Sequence, residues 1–76
     1  MELELMEILN DLKPGENFKD SECYIDDEIL DSFDVISLVS ILEEKYEIVI
    51  DGLDIIPENF QNIDAIIALV EKSKKL

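Results

Sequence analysis

Apolar residues recur at helical spacing in three separate parts of the chain. The first part predicts a helix from about Glu2 to Leu12, because positions i, i+3, i+4 and i+7 share one face of an α-helix. Its apolar stripe consists of Leu5, Ile8, Leu9 and Leu12. Lys13 lies in the last turn, where a cation suits the negative end of the helix dipole. Pro14 and Gly15 then end the helix.

A connection from roughly Glu16 to Leu30 separates this helix from the next one. It is longer than the usual turn between helices, yet it carries apolar side chains that can attach it to a core. These are Phe18, Tyr24, Ile25, Ile29 and Leu30. We therefore expect a packed loop rather than a flexible linker.

The second amphipathic segment predicts a helix that reaches about Tyr46. Either Asp31 or Ser32 can act as its N-cap, since both side chains can accept a hydrogen bond from the first turn. The core face, again at helical spacing, comprises Val35, Leu38, Val39, Leu42 and Tyr46.

The opposite side of this helix combines apolar and acidic residues. Phe33 points away from the core face, and Glu44 and Glu47 lie on the same far side, at about 100° per residue. Ile36 lies at the edge of the core face and Ile41 on the other flank. Exposed apolar groups among carboxylates indicate a docking surface for another protein. The alternative is that one or both isoleucines pack against the long loop.

Less regular structure is predicted after the second helix. Glu47–Ile50 has a strand-like composition, but no second run offers it a partner, so an extended connector is expected. Ile48 and Ile50 would point inward while Val49 faces out. Pro57–Phe60 suits one short helical turn, because proline is favoured at a first helical position.

The third amphipathic segment predicts the last helix, with Asn62 as its N-cap. Its apolar stripe comprises Ile63, Ile66, Ile67 and Val70. Basic residues that suit the end of a helix follow at Lys72, Lys74 and Lys75. Three main helices, one short helix and the long loop between the first two predict an all-α fold, a small four-helix bundle. A chain of 76 residues can form only one domain, 1–76.

Charge and composition narrow the function classes. Asp and Glu total 20 against 6 lysines, for a net charge of −14, which argues against nucleic-acid binding and favours basic surfaces on partner proteins. The alternative is that the acidity serves only solubility. With 47% hydrophobic residues at periodic spacing, folding is favoured over disorder. We expect a cytoplasmic chain without a membrane span, because no basic-plus-apolar leader and no long apolar stretch is present. Repulsion between the negative charges of two copies favours a monomer.

The chain lacks the histidine and the paired cysteines of common catalytic and zinc sites. Cys23 is the single cysteine, and the chain has no histidine, the usual general base for a serine or cysteine nucleophile. Neither Asp26–Glu28 nor Asp51–Asp54 has the ligand spacing of a calcium-binding loop, so both are expected to be solvated acidic loops without a metal. A hydrolase based on Ser32 lacks a base, and we expect no enzymatic activity from the chain itself.

The four residues Asp31–Asp34, which read Asp-Ser-Phe-Asp, stand where the long loop becomes the second helix. They resemble the Asp-Ser-Leu motif of the carrier-protein family, small acidic four-helix proteins that bear a 4′-phosphopantetheine arm. The resemblance covers essentially the whole chain, since length, acidity, helix order, the long loop and the turn near Pro57 all agree with that family. Phe33 replaces the usual leucine. The lead-in Ile29–Ser32 is closer to that of D-alanyl carrier proteins and related free-standing carriers than to peptide-synthetase carrier domains.

The resemblance implies that Ser32 bears 4′-phosphopantetheine, donated by coenzyme A through a phosphopantetheinyl transferase. The thiol of the arm would take an acyl or aminoacyl group as a thioester from a loading ligase and deliver it to a downstream acyl-accepting enzyme, in lipid or nonribosomal peptide biosynthesis. Asp31 and Asp34 would meet basic residues of the transferase. The other partner-binding residues implied are Phe33, Ile36, Glu43, Glu44 and Glu47.

A second class of protein fits the same composition. It is a small acidic helical adaptor that binds a basic protein through the second helix, without a prosthetic group and with Ser32 as a helix cap only. The adaptor hypothesis predicts no modification and a tight, stable complex. The carrier hypothesis predicts a modified serine and transient partners.

Overall fold

Three α-helices carry the fold in the computed structural model, which describes residues 1–74. They are α1 (Glu2–Leu12), α2 (Ser32–Tyr46) and α3 (Ile63–Ser73). Two short 3₁₀ helices, Gly52–Asp54 and Pro57–Phe60, lie between α2 and α3, and the described part contains no strand. The predicted all-α class is confirmed. No helix within residues 1–74 combines the length and the apolar character needed to cross a bilayer. Lys75, predicted to belong to the basic end of the last helix, lies outside the described residues.

The core is one cluster of apolar side chains from the three helices and from the loops between them. The helix residues buried in it are Leu5, Leu9, Val35, Leu38, Val39, Leu42, Ile66, Leu69 and Val70. Most of them belong to the predicted stripes, and the remaining stripe residues pack against the cluster while staying partly exposed. The three helices therefore face the core as their periodicity predicts. Ile41, on the flank of α2, is half-buried.

The long loop between α1 and α2 is packed, as predicted. Phe18 and Tyr24 are buried, and their rings meet edge to face with centroids 5.1 Å apart. The backbone N–H of Tyr24 donates to the carbonyl of Gln61 at 2.7 Å. The carbonyl of Tyr24 accepts the N–H groups of Ile29 and Leu30. These bonds hold the loop against the segment before α3 and fix the chain just ahead of α2.

An extended connector follows α2, and its side chains alternate as predicted. Ile48 and Ile50 are buried, whereas Val49 is 69% exposed. Glu47 ends α2 in the left-handed conformation, with a φ of 53°. The Oε2 atom of Glu43 accepts the backbone N–H of Ile50 at 3.0 Å. One glutamate of α2 therefore ties the connector to the helix.

The short element before α3 is a 3₁₀ helix rather than an α-helix. Pro57 lies at its start, as predicted. The N–H of Asn59 donates to the carbonyl of Ile56, the i to i+3 pattern of a 3₁₀ turn, and a four-residue element is too short for an α-helical ladder. Phe60 is fully buried and anchors the turn, which packs against α3.

The 3₁₀ helix at Gly52–Asp54 is not predicted by the apolar pattern, although Asp51 and Gly52 are favoured turn residues. The carboxylate of Asp51 caps it by accepting a backbone N–H two residues further on, at 2.9 Å. At its end, the carboxylate of Asp54 binds the ammonium group of Lys72 at 2.9 Å. A lysine predicted to suit the dipole of the last helix therefore also ties α3 to the preceding segment.

Candidate functional site

Ser32 is the first residue of α2, and it is exposed. The residue before it, Asp31, is the N-cap and has extended backbone angles. Of the two N-cap candidates that the sequence leaves open, the structure therefore selects Asp31. None of the side-chain hydrogen bonds among residues 1–74 involves Ser32. The hydroxyl group is accessible to an external reaction partner.

A capping box holds the start of α2. The Oδ1 atom of Asp31 accepts the N–H of Asp34 at 2.9 Å, and the Oδ2 atom of Asp34 accepts the N–H of Asp31 at 3.2 Å. Each bond satisfies a backbone donor that the helix itself leaves free. Ser32 lies between the two bonded residues, so the box fixes the backbone that presents its hydroxyl group.

Lys13 reaches this capping box from the end of α1. Its Nζ atom lies 3.1 Å from the Oδ2 atom of Asp34, and the two side chains are 33% and 12% exposed, respectively. Sequence reasoning assigns Lys13 only to the dipole of the first helix. A contact between residues 21 positions apart leaves no local pattern by which it could have been found. The pair joins the end of α1 to the start of α2.

Asp34 is turned inward, in contrast to its predicted place on the partner-binding surface. The residue is only 9% exposed, and its carboxylate is engaged by Lys13 and by the N–H of Asp31. The physical reason is its position, because a carboxylate at the third residue of a helix can fold back onto the N-cap. We therefore assign Asp34 to the capping of α2. Asp31 stays exposed.

The carboxyl group of Asp34 remains acidic in spite of its burial. Desolvation raises its pKa, but the hydrogen bond from the Asp31 N–H and the bond and charge of Lys13 outweigh this effect, so the pKa lies below 3.8. The hydrogen bond to Asp34 raises the pKa of Lys13 above 10.5. Desolvation opposes this effect, and the charges of the nearby carboxylates add to it. Both groups are therefore charged at neutral pH.

A groove of about 620 Å³ opens beside Ser32. The long loop, α2 and the residues ahead of Pro57 form its walls. Its apolar lining includes Ile25, Leu30, Val35, Ile36, Ile55 and Ile56. Glu28 and Asp31 add carboxylates to the lining. Sequence reasoning does not identify Ile25, Ile55 or Ile56 as site residues, because they come from segments that meet only in the folded chain.

The exposed face of α2 carries most of the predicted partner-binding residues. Phe33 is 76% exposed and Ile36 is 62% exposed, so the predicted exposure of Phe33 is confirmed and Ile36 does not pack into the core. Glu44 and Glu47 are exposed as well. Glu43 differs from them, because it is half-buried and its carboxylate accepts a hydrogen bond from the connector after α2. We define the docking face by Phe33, Ile36, Glu44 and Glu47.

Comparisons of the chain with protein-family models, with curated proteins and with solved structures found no match. Within residues 1–74, no group of three or more His, Cys, Asp or Glu side chains is arranged to hold a metal ion. The candidate functional site consists of Ser32, the capping box with Lys13, the groove and the docking face.

The lowered pKa of Asp34 predicts a specific loss of stability in acid. A carboxyl group with a lowered pKa in the folded state stabilises the fold fully above its ordinary pKa of 3.8, and this stabilisation disappears as the pH falls through the lower folded value. The difference in free energy of unfolding between the wild type and Asp34→Asn should therefore be constant around neutral pH and shrink progressively as the pH falls through 3.8 and below it. Urea denaturation across the acid range measures this difference.

Asp11→Asn is the matched control for the acid series, because it removes one exposed carboxylate of α1 without touching the capping box. If the free energy of unfolding of the wild type exceeds that of Asp34→Asn by the same amount at the lowest pH, an ionised capping box is contradicted.

Proposed function

We propose that the chain is a free-standing acyl or aminoacyl carrier protein in which Ser32 bears 4′-phosphopantetheine. The observation that carries the proposal is the placement of Ser32. Its accessible hydroxyl group stands at the first residue of a 15-residue helix, beside an apolar groove. In the proposal, the Pro57–Phe60 turn takes the place of the short helix in the four-helix arrangement of that family.

The residues around Ser32 suit a phosphate-linked group. Free N–H groups and the positive end of the helix dipole favour a phosphate at the start of a helix. The carboxylate of Asp31 opposes it, but this residue is exposed, and the high dielectric constant of water weakens the repulsion between the two charges. The carboxylate of Asp34 is already paired with Lys13. Once attached, the group would supply a thiol that holds an acyl or aminoacyl cargo as a thioester.

In the attachment reaction, the chain contributes only the acceptor. The oxygen of Ser32 forms a bond to the phosphorus that bears the pantetheine part of coenzyme A. The bond from that phosphorus to the adenosine bisphosphate breaks, and the hydroxyl proton passes to a base. In the proposal, a phosphopantetheinyl transferase supplies that base. The chain is thus a substrate of the transferase, not an enzyme.

The docking face suits partners that bind briefly. Phe33 and Ile36 form an exposed apolar centre close to Ser32, and Glu44 and Glu47 extend it with negative charge. Charge complementarity speeds encounter with basic surfaces, while a small apolar contact keeps the complex weak. A transferase, a loading ligase and an acyl-accepting enzyme could therefore use the face in turn. A cytoplasmic location and a monomeric chain belong to the same proposal.

The direct test is incubation of the unmodified chain with coenzyme A, magnesium and a broad-specificity phosphopantetheinyl transferase. Intact-mass spectrometry should show the addition of one phosphopantetheine group to the folded wild type. A folded chain that gains no mass, while a known carrier in the same tube is modified, would contradict the proposal. If that chain also formed a tight complex with a basic protein, the result would favour the adaptor.

Reversal of charge on the docking face should slow the transferase without unfolding the chain. Glu44→Lys with Glu47→Lys is expected to lower kcat/KM for modification roughly tenfold at low salt, because both side chains are exposed and attract a basic partner. The effect should fade at high salt. Glu43 is left unchanged, since its carboxylate holds the backbone of Ile50. Intact-mass spectrometry measures the rate of modification, and circular dichroism measures whether the variant stays folded.

The control for this double variant is Glu7→Lys with Glu71→Lys, which changes net charge equally at exposed positions of α1 and α3. Equal slowing by both pairs would assign the effect to net charge and reject a defined docking face.

A further inference from the structure

We propose that Lys13 is a positioning residue for the modification of Ser32, and that it acts through Asp34. This inference rests on the proposed carrier function and deepens it. Lys13 is the C-cap residue that follows α1 and lies outside the Asp-Ser-Phe-Asp motif, so neither the motif nor the docking face includes it.

The geometry connects Lys13 to the capping network through Asp34. The Oδ2 atom of Asp34 accepts one hydrogen bond from the Nζ of Lys13 at 3.1 Å and another from the backbone N–H of Asp31 at 3.2 Å. Asp34 must stay in one orientation to serve both donors. Because its side chain is 12% exposed and that of Lys13 is 33% exposed, water screens this pair less than an ion pair at the open surface. The lysine therefore holds the carboxylate in its capping position.

The first consequence concerns the position of the acceptor. Ser32 lies between Asp31 and Asp34, and their two reciprocal hydrogen bonds define the backbone of the first turn. Without Lys13, the Asp34 carboxylate would gain water contacts by leaving the box, and the first turn would fray. A frayed turn would present the hydroxyl group in several orientations, which slows a transfer that needs one of them.

The second consequence concerns charge. A phosphodiester at Ser32 adds a negative group next to Asp31 and two residues before Asp34. Lys13 neutralises the carboxylate of Asp34, and the low pKa of Asp34 together with the raised pKa of Lys13 keeps this pair fully ionised at neutral pH. Replacement of Lys13 by a neutral residue would leave two uncompensated carboxylates beside the incoming phosphate.

The test compares three variants in the transferase assay with coenzyme A and magnesium. Lys13→Met keeps the aliphatic stem and removes the charge, whereas Lys13→Arg keeps a cation. Lys45→Met is the matched control, because Lys45 pairs with Glu4 at 3.8 Å in the more exposed ion pair between α2 and α1. All rates are corrected for the folded fraction. Sucrose, an uncharged stabiliser, keeps weaker variants folded without screening charge.

Lys13→Met is expected to lower kcat for modification about three- to tenfold, with little change in KM, because the partly exposed lysine orients the acceptor and does not belong to the docking face. Lys13→Arg should restore most of the rate, and Lys45→Met should match the wild type. Amide hydrogen exchange at Asp34, whose N–H is bonded to Asp31, should be faster in Lys13→Met than in the wild type.

Two outcomes would overturn the inference. One is a folded Lys13→Met chain modified at the wild-type rate, and the other is a Lys13→Arg chain as slow as Lys13→Met. In both, the wild type is modified, so the carrier function would stand while the role of Lys13 fell. A wild type without any modification would instead remove the carrier function itself.

Discussion

Ser32→Ala is expected to abolish the attachment of phosphopantetheine while the fold persists. The hydroxyl oxygen is the only atom through which the proposed phosphodiester can form at this position, so its removal leaves the transferase without an acceptor. Ser32 is exposed and its side chain forms no hydrogen bond within residues 1–74, so the cost in stability should stay within about 0.5 kcal/mol. Intact mass after transferase treatment measures the first effect and urea denaturation the second.

Ser40→Ala is the matched control, since Ser40 is an exposed serine of the same helix, two turns further on. This variant should gain one phosphopantetheine group at the wild-type rate. Modification of Ser32→Ala at the wild-type level would show that another hydroxyl group is the acceptor. Loss of modification in Ser40→Ala with Ser32 intact would also contradict the assignment.

Phe60→Ala is expected to destabilise the fold strongly, whereas Phe33→Ala should leave its stability nearly unchanged. Phe60 is fully buried, and truncation of such a ring costs about 3–5 kcal/mol, a large fraction of the stability of about 4–11 kcal/mol expected for a chain of this size. Phe33 is 76% exposed, so its truncation should cost less than about 0.5 kcal/mol. Urea denaturation followed by far-ultraviolet circular dichroism distinguishes the two.

The same pair of variants separates folding from docking. Phe33→Ala should remain folded but raise KM for the transferase, because the ring forms part of the exposed apolar centre beside Ser32. A Phe33→Ala chain as unstable as Phe60→Ala would place the Phe33 ring in the core and contradict the docking face. Unchanged KM in a folded Phe33→Ala chain would remove Phe33 from that face.

The helices could be predicted from local pattern because their physical causes are local. Apolar residues at helical spacing predict all three helices, and the cap of the last one is confirmed by the bond from the N–H of Ala65 to Asn62 at 2.8 Å. The packed loop and the alternating connector follow equally well from which of their side chains are apolar. The 3₁₀ geometry at Pro57–Phe60 is less visible, since a proline at the first position suits either kind of short helix.

The candidate site could be predicted only in part. Ser32 and the exposed ring of Phe33 follow from their places in the motif and on the helix. The orientation of Asp34 does not, because a carboxylate at the third helical position can either face solvent or fold back onto the cap. Glu43 likewise reads as one of several surface glutamates, and its bond to Ile50 is visible only once the connector is placed.

By itself, the sequence determined the all-α class, the approximate extent of the helices, the serine near the start of α2 and the acidic character of the surface. These depend on periodicity, capping chemistry and charge, which act over a few residues. Only the tertiary structure decided that Lys13 pairs with Asp34, and that Ile25 and Ile55 share a groove with Ser32. Such contacts join residues far apart in the chain, so they depend on how the helices and loops pack around one core.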